Sequence, residues 1–354
     1  MTGPRASRTG GKVRAARLTD LAALGELSRL CQASNSDTRS LGLPVSGPPI
    51  GMFNLFRLPL GAFRPNDLLF VHEDGGRLGG LIRVEREASR DEWTIVELDA
   101  IGASEAGDIR FRLVQHLMRE GAKRAAARFH VACADADGNV ELFMQAGFAR
   151  YGDEQVLFRA PTAALPSPWS PARAAEAGIR PATPLDAVAL LRLWSAVTPQ
   201  PVQRLEMVRL VDWERQGMHW RVPRSSLAPI LRFAEVEAHV LERPSGGKDG
   251  TELAAVAQIG VAREDQPHYL KVLARPEADV ASLIDFALGV VAARTRAGDH
   301  RHEHGVIAPV RTYESPIDRR LEDAGFDAVS TVTLLMKETL VRVAEPALVP
   351  AGVR

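Results

Sequence analysis

Two stretches decide how this chain folds: VRAARLTDLAAL, Val13 to Leu24, and IRPATPLDAVAL, Ile179 to Leu190. They align without a gap at an offset of 166 residues, Arg14 with Arg180, Ala16 with Ala182, Asp20 with Asp186 and Leu24 with Leu190. Each reads as a short strand, an Asp near a helix start, then apolar residues at helical spacing. A second match lies near the ends of the halves: FMQAGF ends at Phe148 and LEDAGF at Phe326, an offset of 178. The difference of 12 requires insertions. One is visible as the longer hairpin turn ERPSGGKDGTE of the second half against HEDGGR of the first.

The chain is therefore expected to carry one α/β unit twice. Between the copies lies APTAALPSPWSPARAAEAG, Ala160 to Gly178, with four prolines and little periodicity, as in an extended linker. The expected organisation is a flexible tail at 1–11, a first domain at 12–160, a linker at 161–177, a second domain at 178–342 and a tail at 343–354. In the first half the patterns predict a strand near 13–17, a helix near 20–32 and an irregular Pro/Gly-rich stretch near 34–66. Hairpin strands DLLFVHE and LGGLIRVER follow, then strand WTIVELDAI, a helix over 109–127, strand RFHVACA, a short helix in GNVELFMQAG and a last strand, ARYGDEQVLFRA. The second half gives the same order.

Composition narrows the function. A length of 354 residues is comfortable for two cores, and a formal net charge of zero supplies no global field for nucleic acid or anionic membrane. No stretch reaches the roughly 18 apolar residues that span a bilayer. The opening MTGPRASRTGGK has no apolar run and reads as a tail, not a signal peptide. A cytoplasmic protein is expected, with Cys31 and Cys133 as reduced, buried thiols.

The order of elements resembles the GNAT (GCN5-related N-acetyltransferase) family. The resemblance rests on the opening R-x-A-x-x-x-D-x-x-A-L, the strand–turn–helix at 93–127, and LFMQAGF, which is similar to the family's LYEKLGF. It occurs once per half and covers nearly the whole chain. It implies two tandem domains, each a mixed, twisted sheet with helices on both faces, and acyl-CoA in a V-shaped split between strands four and five. It also implies acetyl-CoA as co-substrate, its pyrophosphate held by backbone N–H groups of the turn after strand four.

That turn runs through Ile101, Gly102, Ala103 and Ser104 to Gly107, Asp108 and Ile109. The family's cradle reads Gln/Arg-x-x-Gly-x-Gly/Ala and falls here on Ser104, Gly107 and Ile109. Gly107 matches. Ile109 is expected to place a β-branched side chain where backbone should lie bare. Glu105 and Asp108 add negative charge, while Arg110 or Arg112 could offset it. In the second half Pro276, Asp279 and Ala281 stand near the corresponding turn, with no glycine, and proline lacks a donor. Two readings of Gly102 and Gly107 stay open: a CoA site whose binding is weak or absent, and an ordinary strand-to-helix turn.

Alternation places Glu97 and Asp99 on one face of strand four. The resemblance implies a catalytic base at about Glu97, to deprotonate an amine, with Asp99 second. At a constant offset the second half has Val272 and Ala274 there. The family's proton-donating Tyr falls on Phe143 and, in the second half, Leu321. Tyr151, Tyr269 and Tyr313 are out of register.

Three other patterns read as structure. His300, His302 and His304 in DHRHEHG form a charged loop more readily than a metal site. DADGN starts like a calcium loop but fails at Val140 and Ala146, leaving Asp137 as a helix N-cap. DWERQGMHW, Asp212 to Trp220, reads as a helix with two core tryptophans. The sequence thus points to an acyl-CoA-dependent N-acetyltransferase acting on an unidentified small-molecule amine or peptide. The resemblance implies that the chemistry, if either domain has any, lies in the first, with the degenerate second domain expected to wall the cleft. The alternative is a catalytically inactive tandem interaction module. The glycines and the Glu97/Asp99 pair favour the enzyme; Ile109 and Phe143 favour the module.

Overall fold

The computed structural model describes residues 11–33, 41, 43–44, 67–87, 91–102, 106–135, 138–214, 224–231, 233–244, 251–262, 266–297, 304–314 and 316–339. Most of the irregular stretch predicted at 34–66, the predicted N-terminal tail up to residue 10 and the predicted C-terminal tail lie outside these residues.

The repeated opening motif builds the same ion cluster twice. In the first half, β1 (Lys12–Ala15) leads to α1 (Leu21–Ala33). Arg14 bonds Asp20 at 2.6 and 2.9 Å and also holds Glu73. In the second, β7 (Ile179–Pro181) leads to α5 (Ala187–Val197). Arg180 bonds Asp186 at 2.8 and 2.7 Å and Glu242 at 2.8 Å. Each Asp also closes the turn before its helix, accepting the N–H of Arg17 or Thr183 at 2.7 Å.

Hairpin β2 (Asp67–Asp74) and β3 (Arg77–Glu87) turns Val71 and Leu81 against Leu24 and Leu27 of α1. Next come β4 (Glu92–Ala100), α2 (Ala106–Lys123), β5 (Arg128–Ala134), α3 (Asn139–Gln145) and β6 (Ala149–Arg159). Helix α2 lies toward the N-terminus of the predicted 109–127. It stops where Ala125 turns left-handed (φ 57°) and the Ala126 N–H returns to the Gly121 carbonyl at 2.9 Å. The N-cap of α3 is Gly138 (φ 71°), whereas Asp137 lies outside the described residues. The linker is not extended throughout: Ser170 accepts the Arg173 N–H at 3.2 Å and starts α4 (Pro171–Glu176).

The second half continues with α6 (Gln200–Glu206), α7 (Leu210–Glu214), β8 (Phe233–Pro244), β9 (Thr251–Ala262) and β10 (His268–Ala274). It closes with α8 (Val280–Ala297), β11 (Val306–Arg311), α9 (Ile317–Asp323) and β12 (Asp327–Glu338). Trp213 is fully buried with Leu190, Leu193 and Trp194, while Trp220 lies outside the described residues.

The twelve strands found among the described residues join one sheet, in the palindromic order β1-β2-β3-β4-β5-β12-β6-β11-β10-β9-β8-β7. The last strand of each half crosses over. Strand β12 runs antiparallel to β5, with Val332 opposite Ala134, and β6 runs antiparallel to β11, with Arg311 opposite Glu154. The halves recognisable in sequence are therefore interlocked in space, each completed by a strand from the other.

Two pairs, β4–β5 and β10–β11, are parallel, and both come apart. Pairing of β4 with β5 ends at Ile95 opposite Val131, and that of β10 with β11 at Tyr269 opposite Ile307. Among the described residues no helix is long and apolar enough to cross a membrane. Cys31 and Cys133 are both free thiols; Cys133 is buried and Cys31 half-buried. Burial pushes the Cys133 thiol up to about 12, so it stays protonated at neutral pH.

Candidate active site

The β4–β5 split opens where β4 carries a bulge. Ile95 sits opposite Val84 and Glu97 opposite Arg83, so Val96 is an extra residue. Past the bulge, Leu98 and Ala100 join the core beneath α2. Glu97 and Asp99 take the other face, opposite Arg83 and Leu81, as alternation required. Arg83 Nε donates to Glu97 Oε2 at 2.8 Å. Asp99 is buried, with 6% of its surface exposed. Burial, then the adjacent Glu97 charge and its hydrogen bond, push the Asp99 carboxyl up to about 8, against the opposing pull of Arg83 and Arg110. Asp99 thus holds its proton more tightly than an ordinary carboxyl, beside a glutamate that an arginine positions.

Arg110 is not the exposed phosphate partner the sequence allowed. It is buried, and its charge acts on Asp99 of β4 and on Cys133 of β5, one on each side of the split.

In the turn after β4, the Ile101 N–H bonds the Gly79 carbonyl and the Ala106 N–H bonds the Gly102 carbonyl, both at 2.9 Å. Ala103 and Ser104 lie outside the described residues. Gly102 has φ +102°, a conformation that disfavours side chains, and a Cβ on Gly102 or Gly107 would meet open space. Asp108 is met by Arg112 at 2.8 Å, which offsets its charge. Ile109 overturns the expectation placed on it. Its side chain is 4% exposed and faces inward, against the backbone of Gly79 and Gly80. Ile109 is core, packed on the two glycines of β3. Phe143 is likewise fully buried, edge-on to Phe148 at 5.3 Å between ring centroids.

The second split is closed from within. Gln258, which matches Arg83 in the aligned hairpins, sits opposite Lys271. The counterpart of Glu97 is therefore Lys271, not Val272, and that of Asp99 is Leu273, not Ala274. The bulge at Val96, which β10 lacks, displaces the count by one. Lys271 is buried and donates to Glu314 at 2.6 Å and to the Pro309 carbonyl of β11 at 3.1 Å, bridging the strands where they part. Proline is tolerated at 309 because its missing N–H and its carbonyl point to the same side, toward the split. At the start of α8, Asp279 accepts the Ser282 N–H at 3.2 Å, filling the helix N-terminus where an anion would sit.

Residues 224–230 of the second half lie over the first split. A cleft there is lined by Thr94, Val96, His130, Tyr151, Arg224 and Ile230 among others. Arg224 donates to the buried Glu92 at 2.5 Å, and the Ser226 N–H to Glu154 at 2.8 Å. Ser225 and Tyr269 share a hydrogen bond of 2.8 Å. Arg311 joins Glu206 and the Arg224 carbonyl, each at 2.8 Å. Burying so many charges is costly unless each is paired, and here pairing clamps the wall to the cleft.

No family model matches the sequence, and no curated protein does. Solved structures do. A tandem GNAT protein from the clavulanic acid biosynthesis pathway aligns over 93% of this chain and 98% of its own, at 12% identity and TM-score 0.56. The fold is the GNAT fold. A GCN5-related N-acetyltransferase from Sphaerobacter thermophilus aligns over 93% of this chain and 95% of its own, at 15% identity and TM-score 0.53. At such identities the likeness fixes the GNAT architecture and leaves the chemistry to the side chains.

Sequence reading missed Arg83, the buried role of Arg110, Lys271 and the wall at 224–230. Alternating polarity in β3 could have flagged Arg83 as facing Glu97. Of the histidine cluster, His304 has its ring 6.5 Å from that of His268, while His300 and His302 lie outside the described residues. Among the described residues no three metal-ligating side chains converge.

Proposed function

We propose that this protein is an acyl-CoA-dependent N-acetyltransferase acting on a small amine, with the chemistry in the first half. The observation that carries this reading is the position of Glu97 and Asp99. They share one face of β4 just past the bulge that opens the split, in the half where open space surrounds Gly102 and Gly107. Acetyl-CoA fits that half: Gly102, Gly107 and the backbone of Asp108 would hold it at the start of α2. It does not fit the second half, where Lys271 and Asp279 stand in the way. When bound, the coenzyme supplies an activated acetyl thioester.

Glu97 takes the proton of the acceptor ammonium, held in place by Arg83. Asp99, whose carboxyl is pushed up by burial and by the Glu97 charge, holds a proton beside that base. The wall at 224–230 keeps water from the cleft face. A cytoplasmic location fits the two free thiols. A second reading, a non-catalytic module, draws on buried Arg110 at the split and on Phe143, which carries no proton.

The test is turnover against an amine panel, with acetyl-CoA affinity by calorimetry. A general base contributes about 10²–10⁴-fold, so Glu97→Gln should lower turnover by that order with affinity unchanged. Full activity in both Glu97→Gln and Asp99→Asn would remove the two carboxyls from the mechanism. Absence of both coenzyme binding and turnover in the wild type would leave the module.

A further inference from the structure

Three cations described above face carboxylates: buried Arg311 has Glu154 and Glu206, buried Lys271 has Glu314, and half-buried Arg224 has Glu92. Arg159, the last residue of β6, has none among the described residues. It is 8% exposed, and its partners are three backbone carbonyls: Ala324 at 3.0 Å, Ala163 at 2.9 Å and Ala164 at 2.7 Å. These satisfy three of the five guanidinium N–H groups and neutralise nothing. One N–H on each terminal nitrogen is left over. Burial moves its pKa down.

Arg159 opens on a cavity of about 280 Å³, at the end of the sheet where β10 and β11 begin. Pro161, Ala163, Leu165, His268 and Val306 line it with others, and no acidic side chain does among the described residues. His268 Nδ1 accepts the Ala262 N–H at 3.0 Å, which puts the ring proton of the neutral imidazole on Nε2.

We propose that this cavity binds a small carboxylate with a short apolar body, its carboxyl on the Arg159 fork and its body against Leu165, Pro161 and Val306. A planar carboxylate matches paired guanidinium donors and supplies the charge the three carbonyls lack. The apolar walls suit a few carbon atoms. The site lies where the linker crosses the seam between the halves, at the opposite end of the second-half strands from their split. It does not depend on the acetyltransferase reading.

The probe is sodium butyrate, titrated calorimetrically into the full chain at constant ionic strength, with butyramide and inorganic phosphate in parallel. Butyrate should bind one to one, butyramide not at all, and phosphate more weakly. Arg159→Gln should weaken butyrate at least about tenfold, the effect of losing a charge-assisted hydrogen bond. Because Arg159 also pins the linker, Ala163→Phe is the second variant. It keeps the guanidinium, fills the cavity and should abolish binding with unchanged melting. No saturable butyrate signal, or wild-type affinity in both variants, would overturn the site. Phosphate binding tighter than butyrate would overturn the carboxylate assignment.

Discussion

Replacing Ile109 with glycine separates two opposite views of the turn after β4. In the structure the side chain packs inward. Its Cγ2 lies 2.8 Å from where a Cβ on Gly80 would be, and its Cδ1 3.3 Å from that of Gly79. Two glycines on β3 thus make room for one isoleucine on α2. Truncating such a residue to alanine costs about 2–5 kcal/mol, and helical glycine adds up to about 1 kcal/mol. About 4 kcal/mol is expected for Ile109→Gly and about 1 kcal/mol for Ile109→Val. With an unfolding entropy near 2.1 cal/mol/K per residue, the whole chain changes by roughly 0.7 kcal/mol per degree. The melting temperature should then fall by about 6 °C if the interlocked sheet unfolds as one unit, and by about 11 °C if half of it melts alone. Scanning calorimetry reads the shift, and acetyl-CoA titration of the same samples reads the turn. A melt within a degree of wild type, with tighter coenzyme binding, would refute the inward packing and make Ile109 a residue of the groove.

Three more outcomes follow. The Asp99 carboxyl, near 3.8 when unfolded and about 8 when folded, contributes its full stability below about pH 4 and loses it as pH rises through about 8, at up to about 1.4 kcal/mol per unit. Urea midpoints of the wild type should decline across that window relative to Asp99→Asn, and parallel curves would contradict the buried-acid assignment. Lys271→Met should cost about 3–5 kcal/mol by leaving Glu314 buried without its cation, and adding Glu314→Gln should restore much of it; a neutral single variant would remove the plug. Proteolytic nicking of the linker should give two pieces that co-elute under native conditions, because β6 and β12 each lie inside the other half's sheet; their separation would refute the strand order.

How far the sequence could be read depends on how local each feature is. The doubled opening motif was legible because Arg14–Asp20 and Arg180–Asp186 are short-range pairs, each wrapped round one turn. The face shared by Glu97 and Asp99 was legible because alternation survives within a strand. The exchange of β6 and β12 was not, since amphipathic strands specify a buried face and not a neighbour. The match of Glu97 to Val272 failed on a single bulge residue, invisible to any constant offset. Ile109 was misplaced because a motif aligned across a turn gives no helical phase; that phase is set by what α2 packs on, Gly79 and Gly80. Asp99's raised pKa needed its burial, which no spacing states.

The two halves differ in a way that has one physical origin. Lys271 closes the second split by holding Glu314, and Glu314 also accepts the Arg311 N–H at 2.8 Å. Arg311 in turn meets Glu154 and Glu206 and carries the Arg224 carbonyl, which starts the wall over the first split. The Lys271–Glu314 pair that fills the second split is thus joined through Arg311 to the segment over the first. A second half with an open split would lack Lys271, and Glu314 would lose the cation that lets it lie buried beside Arg311. On this geometry the Lys271–Glu314 pair in the second split also holds the backbone of Arg311, so removing Lys271 should loosen the wall over the first split.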